Sequence, residues 1–149
     1  MPRLRRFAAA VVIGGIEPVL ADQCARTSIK TVLAQKLPLA DSVNLRVALY
    51  KAMLTLCRNI EVRDENYGKS AHSSVVRGLY RLSADEREVL VLVAVEGLAH
   101  VEAARVLDLP QWVLLARLTR ARENLQAEMA RQQSQRNSRP GPSHLRVVK

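Results

Sequence analysis

Leu82 to Gln126 reads LSADEREVLVLVAVEGLAHVEAARVLDLPQWVLLARLTRARENLQ, and this stretch decides the fold. Ser83 followed by Glu86 is a capping box: the hydroxyl accepts from the amide three residues on, while the carboxylate reaches back to the cap. A helix therefore starts here and stops at Gly97. A second helical segment, His100 to Leu107, carries Val101, Ala104 and Leu107 on one face, and Asp108-Leu109-Pro110 breaks it. In a third helix Leu114, Leu118, Ala121 and Leu125 recur at spacings of three and four, one apolar stripe that can pack on the two helices before it. Arg117, Arg120 and Arg122 flank the stripe and are expected to project outward. Three short helices with a tight turn before the last make a helix-turn-helix, expected over residues 79–131.

Those residues carry a family resemblance. Leu82-Ser83, Arg87 with Val89-Leu90, Glu96-Gly97, Ala103-Ala104 and the run from Arg117 through Arg122 resemble, in one register, the C-terminal promoter-binding domain (region 4) of extracytoplasmic-function sigma factors of the sigma-70 superfamily. The resemblance implies promoter DNA and core RNA polymerase as partners. It places Gln111, Trp112, Val113, Leu115, Ala116, Arg117, Arg120 and Arg122 on the DNA-reading helix.

Outside this stretch the composition fits the same class. Leu, Ala, Arg and Glu dominate, aromatics make up 3%, and no alternating run reads as a strand, so the chain is expected to be all-α. Its 149 residues, 48% hydrophobic, suffice for one medium core or two small helical ones. A net charge of +9 suits a polyanionic partner. From Arg117 onward eight basic residues face two acidic ones, an excess equally consistent with a solvated face and tail.

Working toward the N-terminus, Ile60 to Ala71 is polar and aperiodic, and residues 60–78 are expected to link two small helical domains. Residues 1–59 read as three helices: Arg3 to Ile13; a helix opened by Pro18 and running to about Gln35, with Ala25, Ile29, Val32 and Leu33 on one side; and a helix after Asp41-Ser42 with Leu45, Leu49, Ala52, Met53 and Leu56 inward. In outline this half resembles a degenerate sigma region 2. Leu49-Tyr50-Lys51 and Leu4-Arg5-Arg6-Phe7-Ala8 carry that likeness, while Ala48 replaces a usual Trp and the acidic-Gln motif is reduced to Asp22. The resemblance points to Asp22, Tyr50 and Lys51 as partner-binding residues.

The reading helix departs from the family where it matters chemically. Base edges require hydrogen-bonding side chains, and the outward positions here hold Trp112, Val113, Leu115 and Ala116. Two functions follow. One is a sigma factor acting in transcription initiation. The other is a sigma mimic that occupies an anti-sigma factor without promoter recognition, because Leu45 to Lys51 and Val93 to Gly97 are also similar to the sigma-like domain of the anti-anti-sigma regulators of the general stress response. In that reading Trp112 anchors the protein partner. A stand-alone helix-turn-helix repressor is a third.

Enzymatic chemistry has no foothold. His72, His100 and His144 stand in unrelated contexts with no Cys or acid at ligand spacing, and Gly14-Gly15 lacks the Gly-Lys-Ser/Thr of a phosphate loop, so no catalytic, metal or cofactor site and no small-molecule substrate is expected. Cys24 and Cys57 are expected to be buried thiols. MPRLRR followed by FAAAVVIGGI mimics a secretory leader, but Glu17 and Pro18 interrupt a run far too short to span a bilayer, so a cytoplasmic location without membrane association is expected. Residues 132–149, with Ser, Gln, Arg and two Pro, are expected to form a flexible basic tail.

Overall fold

The computed structural model describes residues 2–12, 16, 18–35, 41–60 and 73–138, and these are all-helical. In order they form α1 (Pro2–Val11), α2 (Pro18–Ala34), α3 (Ser42–Arg58), α4 (Ser74–Arg81), α5 (Ala84–Leu90, continued by a wide π-helical turn over Val91–Val95), α6 (His100–Val106) and α7 (Gln111–Asn137).

Helices α1, α2 and α3 pack on one another, and Phe7 meets Tyr50 edge-on at 5.2 Å. Asp41 starts α3 by accepting from the Asn44 amide, the cap its position implied. Which residues face inward differs from the sequence expectation. The buried face of α3 is Val47, Tyr50, Met53, Leu54 and Cys57, with Leu45, Leu49, Ala52 and Leu56 at its edges, because α3 is gripped on one side by α2 and on another by α6. In α2, Ala21, Cys24, Ala25, Ser28 and Val32 go inside, while Leu33 is exposed. Ser28 of α2 faces α3, its hydroxyl 3.4 Å from Met53 Sδ.

The second half begins earlier than the linker expectation allowed, since Ser74–Arg81 is helical; residues 61–72 lie outside the described ones. Gly78 makes this possible, because a Cβ there would sit 2.6 Å from Leu125 Cδ1 of α7. The capping box at Ser83 and Glu86 is present, and Gly97 at φ 69° ends the α5 rod in the left-handed region that favours glycine. The wide turn just before it, with Glu96 N–H donating to Val91 O at 3.0 Å, sets where Glu96 points.

Helix α6 buries Glu102, Ala103, Ala104 and Val106, and Val101, expected inside, is exposed. The tight turn into α7 runs through Asp108 at φ 53° and is tied by Leu109 N–H to Ala104 O at 2.9 Å. In α7 the stripe falls where its spacing put it: Leu114, Leu118 and Ala121 are buried and Leu125 half-buried. The helix continues to Asn137, so residues 132–137 are helical where a flexible tail was expected; residues 139–149 lie outside the described ones.

One buried side chain ties two helix ends to α5. Arg87 donates from Nε to Val11 O at 3.1 Å and from Nη1 to Leu79 O at 3.3 Å and Leu82 O at 3.4 Å, reaching the C-terminal carbonyls of α1 and α4 from α5. Last-turn carbonyls have no intrahelical partner and carry partial negative charge, so a guanidinium among them satisfies both demands. Burial lowers its pKa from the ordinary arginine value without removing its charge at neutral pH.

The buried apolar residues form one continuous cluster from Leu4 to Ala121, with α1 against α5 and α3 against α6.

Candidate functional site

The helix-turn-helix offers the face of α7 that a DNA-reading helix would present. Taking Leu118 as inward and a step of about 100° per residue, Leu115, Thr119 and Trp112 lie to one side, with Arg122 beside them and Ala116 beyond. Trp112 is 73% exposed and Leu115 39%, Gln111 and Ala116 are exposed, and Val113 is half-buried. This face is apolar, and Thr119 turns its hydroxyl back to the Leu115 carbonyl at 3.1 Å.

Arg117 and Arg120 do not share that face. They point toward the start of α5, where Arg117 Nη1 meets Asp85 Oδ2 at 2.8 Å and Arg120 Nε lies 4.0 Å from Glu86 Oε1. Asn124 donates to the same Glu86 at 2.7 Å. Both guanidinium groups project from the helix as expected, but each has an acid beside it. Arg122 alone of the three keeps company with Trp112 and Leu115. Exposed pairs of this kind are weak and salt-screened, so they restrain the arginines more than they stabilise the fold.

The residues assigned to partner contact in the N-terminal half are engaged within the chain. Asp22 is ion-paired with Arg5 of α1. Tyr50, expected on a partner-facing surface, is buried instead, and its hydroxyl donates to Glu96 Oε2 at 2.6 Å; burial, then this bond, raises its pKa far above the usual phenol value. Lys51 Nζ holds Asp108 Oδ1 at 2.5 Å.

These last contacts belong to a seam of charge that sequence reasoning did not identify. Arg6 Nε meets Glu96 Oε1 at 3.3 Å, Arg46 pairs with Glu102, and Arg58 grips Glu88 with two bonds of 2.9 and 2.6 Å. In every pair the base comes from the N-terminal half and the acid from the helix-turn-helix half. The carboxylates are interior: Glu96, Glu88 and Glu102 side chains are 0%, 4% and 8% exposed. The bond from Arg46 holds the Glu102 carboxyl below the ordinary range, helped by the Ala99 amide that donates to it at 2.8 Å. A signal for this lay in the charge distribution. Residues 1–59 hold nine bases and three acids, whereas residues 60–116 hold six bases and nine acids.

Cys24 and Cys57 are free, buried thiols, as expected. Burial pushes the Cys57 thiol up to about 12 and raises Cys24 in the same direction, which keeps both unreactive. Among the described residues no group of His, Cys, Asp and Glu could hold a metal ion, and no helix is long and apolar enough to cross a membrane.

No family model and no curated protein matches the sequence. Among solved structures, the sigma factor RpoE from Bartonella quintana, crystallised in complex with the anti-sigma factor NepR, superposes with a TM-score of 0.63 over 87% of this chain and 91% of that one, at 20% identity. The fold is that of a sigma factor. The anti-anti-sigma domain of PhyR, solved bound to NepR, aligns over the same shares at 24% identity, but its TM-score of 0.38 is too low to bear on the fold. The superposition thus spans both halves, the N-terminal three helices and the helix-turn-helix.

Proposed function

We propose that this sigma-fold protein works by protein capture: it occupies an anti-sigma factor in place of a sigma factor, and does not itself read a promoter. The observation that carries the reading is the outward face of α7, where Trp112 and Leu115 stand in water at positions from which base edges would have to be hydrogen-bonded. An exposed tryptophan beside a leucine is the chemistry of a protein-binding anchor. Arg117 and Arg120, the residues best suited to phosphates, each have an acid beside them, Asp85 and Glu86, which lowers the positive potential they offer a phosphate.

A second observation favours capture over initiation. Reading a two-part promoter calls on two DNA-binding halves engaging separate elements, whereas here the halves share one apolar cluster and a seam in which half-exposed arginines pair with buried carboxylates. That NepR is the partner in the RpoE complex supports an anti-sigma factor of that kind as the class of protein captured.

Competition tests the proposal. Purified chain added to the preformed RpoE–NepR complex of Bartonella quintana should release RpoE in proportion to its concentration, and Trp112→Ala should weaken that release. If the chain leaves the complex intact, yet starts RNA synthesis with core polymerase from a two-part promoter and loses that ability when Arg117 and Arg120 become Ala, it is an active sigma factor and the capture reading is wrong.

A further inference from the structure

Helices α2 and α3 are joined by a short connection and packed side by side, so they run antiparallel. One contact fixes their register. The Ser28 hydroxyl donates to the Cys24 carbonyl at 2.8 Å and lies 3.4 Å from Met53 Sδ, which sets Ser28 of α2 opposite Met53 of α3. A step of four residues along a helix returns to the same face, one turn away. Because the two helices run in opposite directions, the step back from Ser28 and the step on from Met53 arrive at the same level, at Cys24 and Cys57. All four residues are buried.

Two thiols therefore face each other across one helix interface. Burial raises the Cys57 thiol, and Cys24 adds to that rise, as a neighbour at close range does. Packed helix axes lie about 8–10 Å apart with each Cα about 2.3 Å from its axis, so Cα atoms that face directly are roughly 5 Å apart. A disulfide spans about 4.4–6.8 Å between Cα atoms. A single buried cysteine packs as a small apolar group. Two in the same layer of one interface, and the chain has no others, also form a matched pair.

We propose that Cys24 and Cys57 are an oxidation site: exposed to a low-molecular-weight disulfide, they join into a bond that staples α2 to α3. In the folded chain both are sealed thiols, so the first step draws on the small population in which the α2–α3 interior is open. There one cysteine loses its proton and its thiolate attacks the small disulfide, whose S–S bond breaks as one small thiolate leaves. The other cysteine, again as thiolate, attacks the protein sulfur of this mixed disulfide, forms the Cys24–Cys57 bond and expels the second small thiolate. Both protons end on the released small thiols, and the two electrons lost by the protein reduce the small disulfide. The product is uncharged, which suits a dry interior.

The bond closes a loop of roughly thirty residues and shuts the opening through which it formed. Helix α3 also carries Tyr50 and Arg58, whose partners Glu96 and Glu88 belong to the helix-turn-helix half, so the staple holds the frame on which those contacts stand. None of this depends on what α7 captures.

The test uses full-length chain in oxidised glutathione, both as native protein and refolded from urea in the same buffer. Mass spectrometry of the intact chain and of its peptides reports the bond. Refolded wild type should lose two hydrogen atoms, remain monomeric and yield one peptide pair joined at Cys24 and Cys57. Its Tm should exceed that of the reduced chain by about 7–15 °C, from the entropy that a loop of this length removes from the unfolded state, and dithiothreitol should reverse the shift. Native protein should reach the same product more slowly, at a rate that rises in subdenaturing urea.

Cys24→Ala and Cys57→Ala should each abolish the Tm shift; if either fails to fold, the mass and Tm of wild type decide alone. A refolded chain that stays a dithiol, or that ends with glutathione on both cysteines, overturns the proposal. So does native protein that never acquires the bond in subdenaturing urea. A bond that forms without raising Tm also overturns it, because the two sulfurs then do not meet in this register.

Discussion

Replacing Arg87 with methionine separates a structural tie from mere volume filling. Methionine keeps an unbranched side chain of similar length in the interior but removes every donor. Three carbonyls then lose a partner, two of which, Leu79 O and Leu82 O, share one nitrogen at 3.3 and 3.4 Å and count together as one bond. The Val11 contact at 3.1 Å is the other. Hydrogen bonds to a charged group contribute roughly 1.5–3 kcal/mol each, so the gross loss is about 3–6 kcal/mol. Removing the charge also removes its desolvation cost, since only 1% of Arg87 is exposed and burial lowers its pKa. Allowing about 1–2 kcal/mol for that relief leaves a net loss of about 3 kcal/mol. For a chain of this size that is a fall in Tm of about 6–12 °C. Urea titration with an unchanged m-value would show that the change is one of stability. Arg87→Lys should fall between the two, keeping the charge but losing the fork. An Arg87→Met protein as stable as wild type would refute the reasoning and mean that the helix ends find other donors.

Three further outcomes follow from the geometry. Trp112→Ala should leave Tm within about 1 °C of wild type, because the ring packs on little in the free protein, yet weaken NepR capture by about tenfold or more in a titration; equal affinity would remove the ring from the interface. The Glu102 carboxyl, held low first by Arg46, binds its proton less readily in the folded chain than at the ordinary unfolded value of about 4.3, so its contribution is complete above that value and is lost as pH falls through the lower folded one. Glu102→Gln should therefore flatten stability against pH on the acid side while lowering it at pH 7, and urea midpoints at pH 7, 4.5 and 3.5 that shift in parallel with wild type would contradict this. Cys24 and Cys57 should resist iodoacetamide at pH 8 at least a hundredfold more than a peptide thiol, with the rate rising steeply in urea; rapid alkylation of native protein would show that the α2–α3 interior opens easily.

Much of the helix-turn-helix was legible in the sequence because its signals are local. The Ser83–Glu86 box, Gly97, the break at Asp108 to Pro110 and the stripe through Leu114, Leu118 and Ala121 each act within one or two turns of chain. Exposure of Trp112 followed from the same wheel. Faces were misjudged where a helix is gripped from two sides: periodicity alone favoured Leu45 and Leu49 in α3, but packing took Val47, Tyr50 and Leu54. The seam was illegible for a different reason. Glu96 meets Tyr50 across 46 residues and Arg6 across 90, and Glu102 meets Arg46 across 56. Local rules assign such glutamates to solvent, and only the summed charge of the two segments hints that they are needed by each other. Arg87 shows both sides of this: its place before Val89-Leu90 could be matched as a pattern, while its purpose depends on α1 and α4 ending beside it.

Trp112 is the chain's sole tryptophan, and it is largely exposed to water. Its fluorescence should therefore be red-shifted in the free protein and move to the blue whenever something covers the ring. The molecule thus carries an intrinsic optical reporter of docking on this face, without any added label.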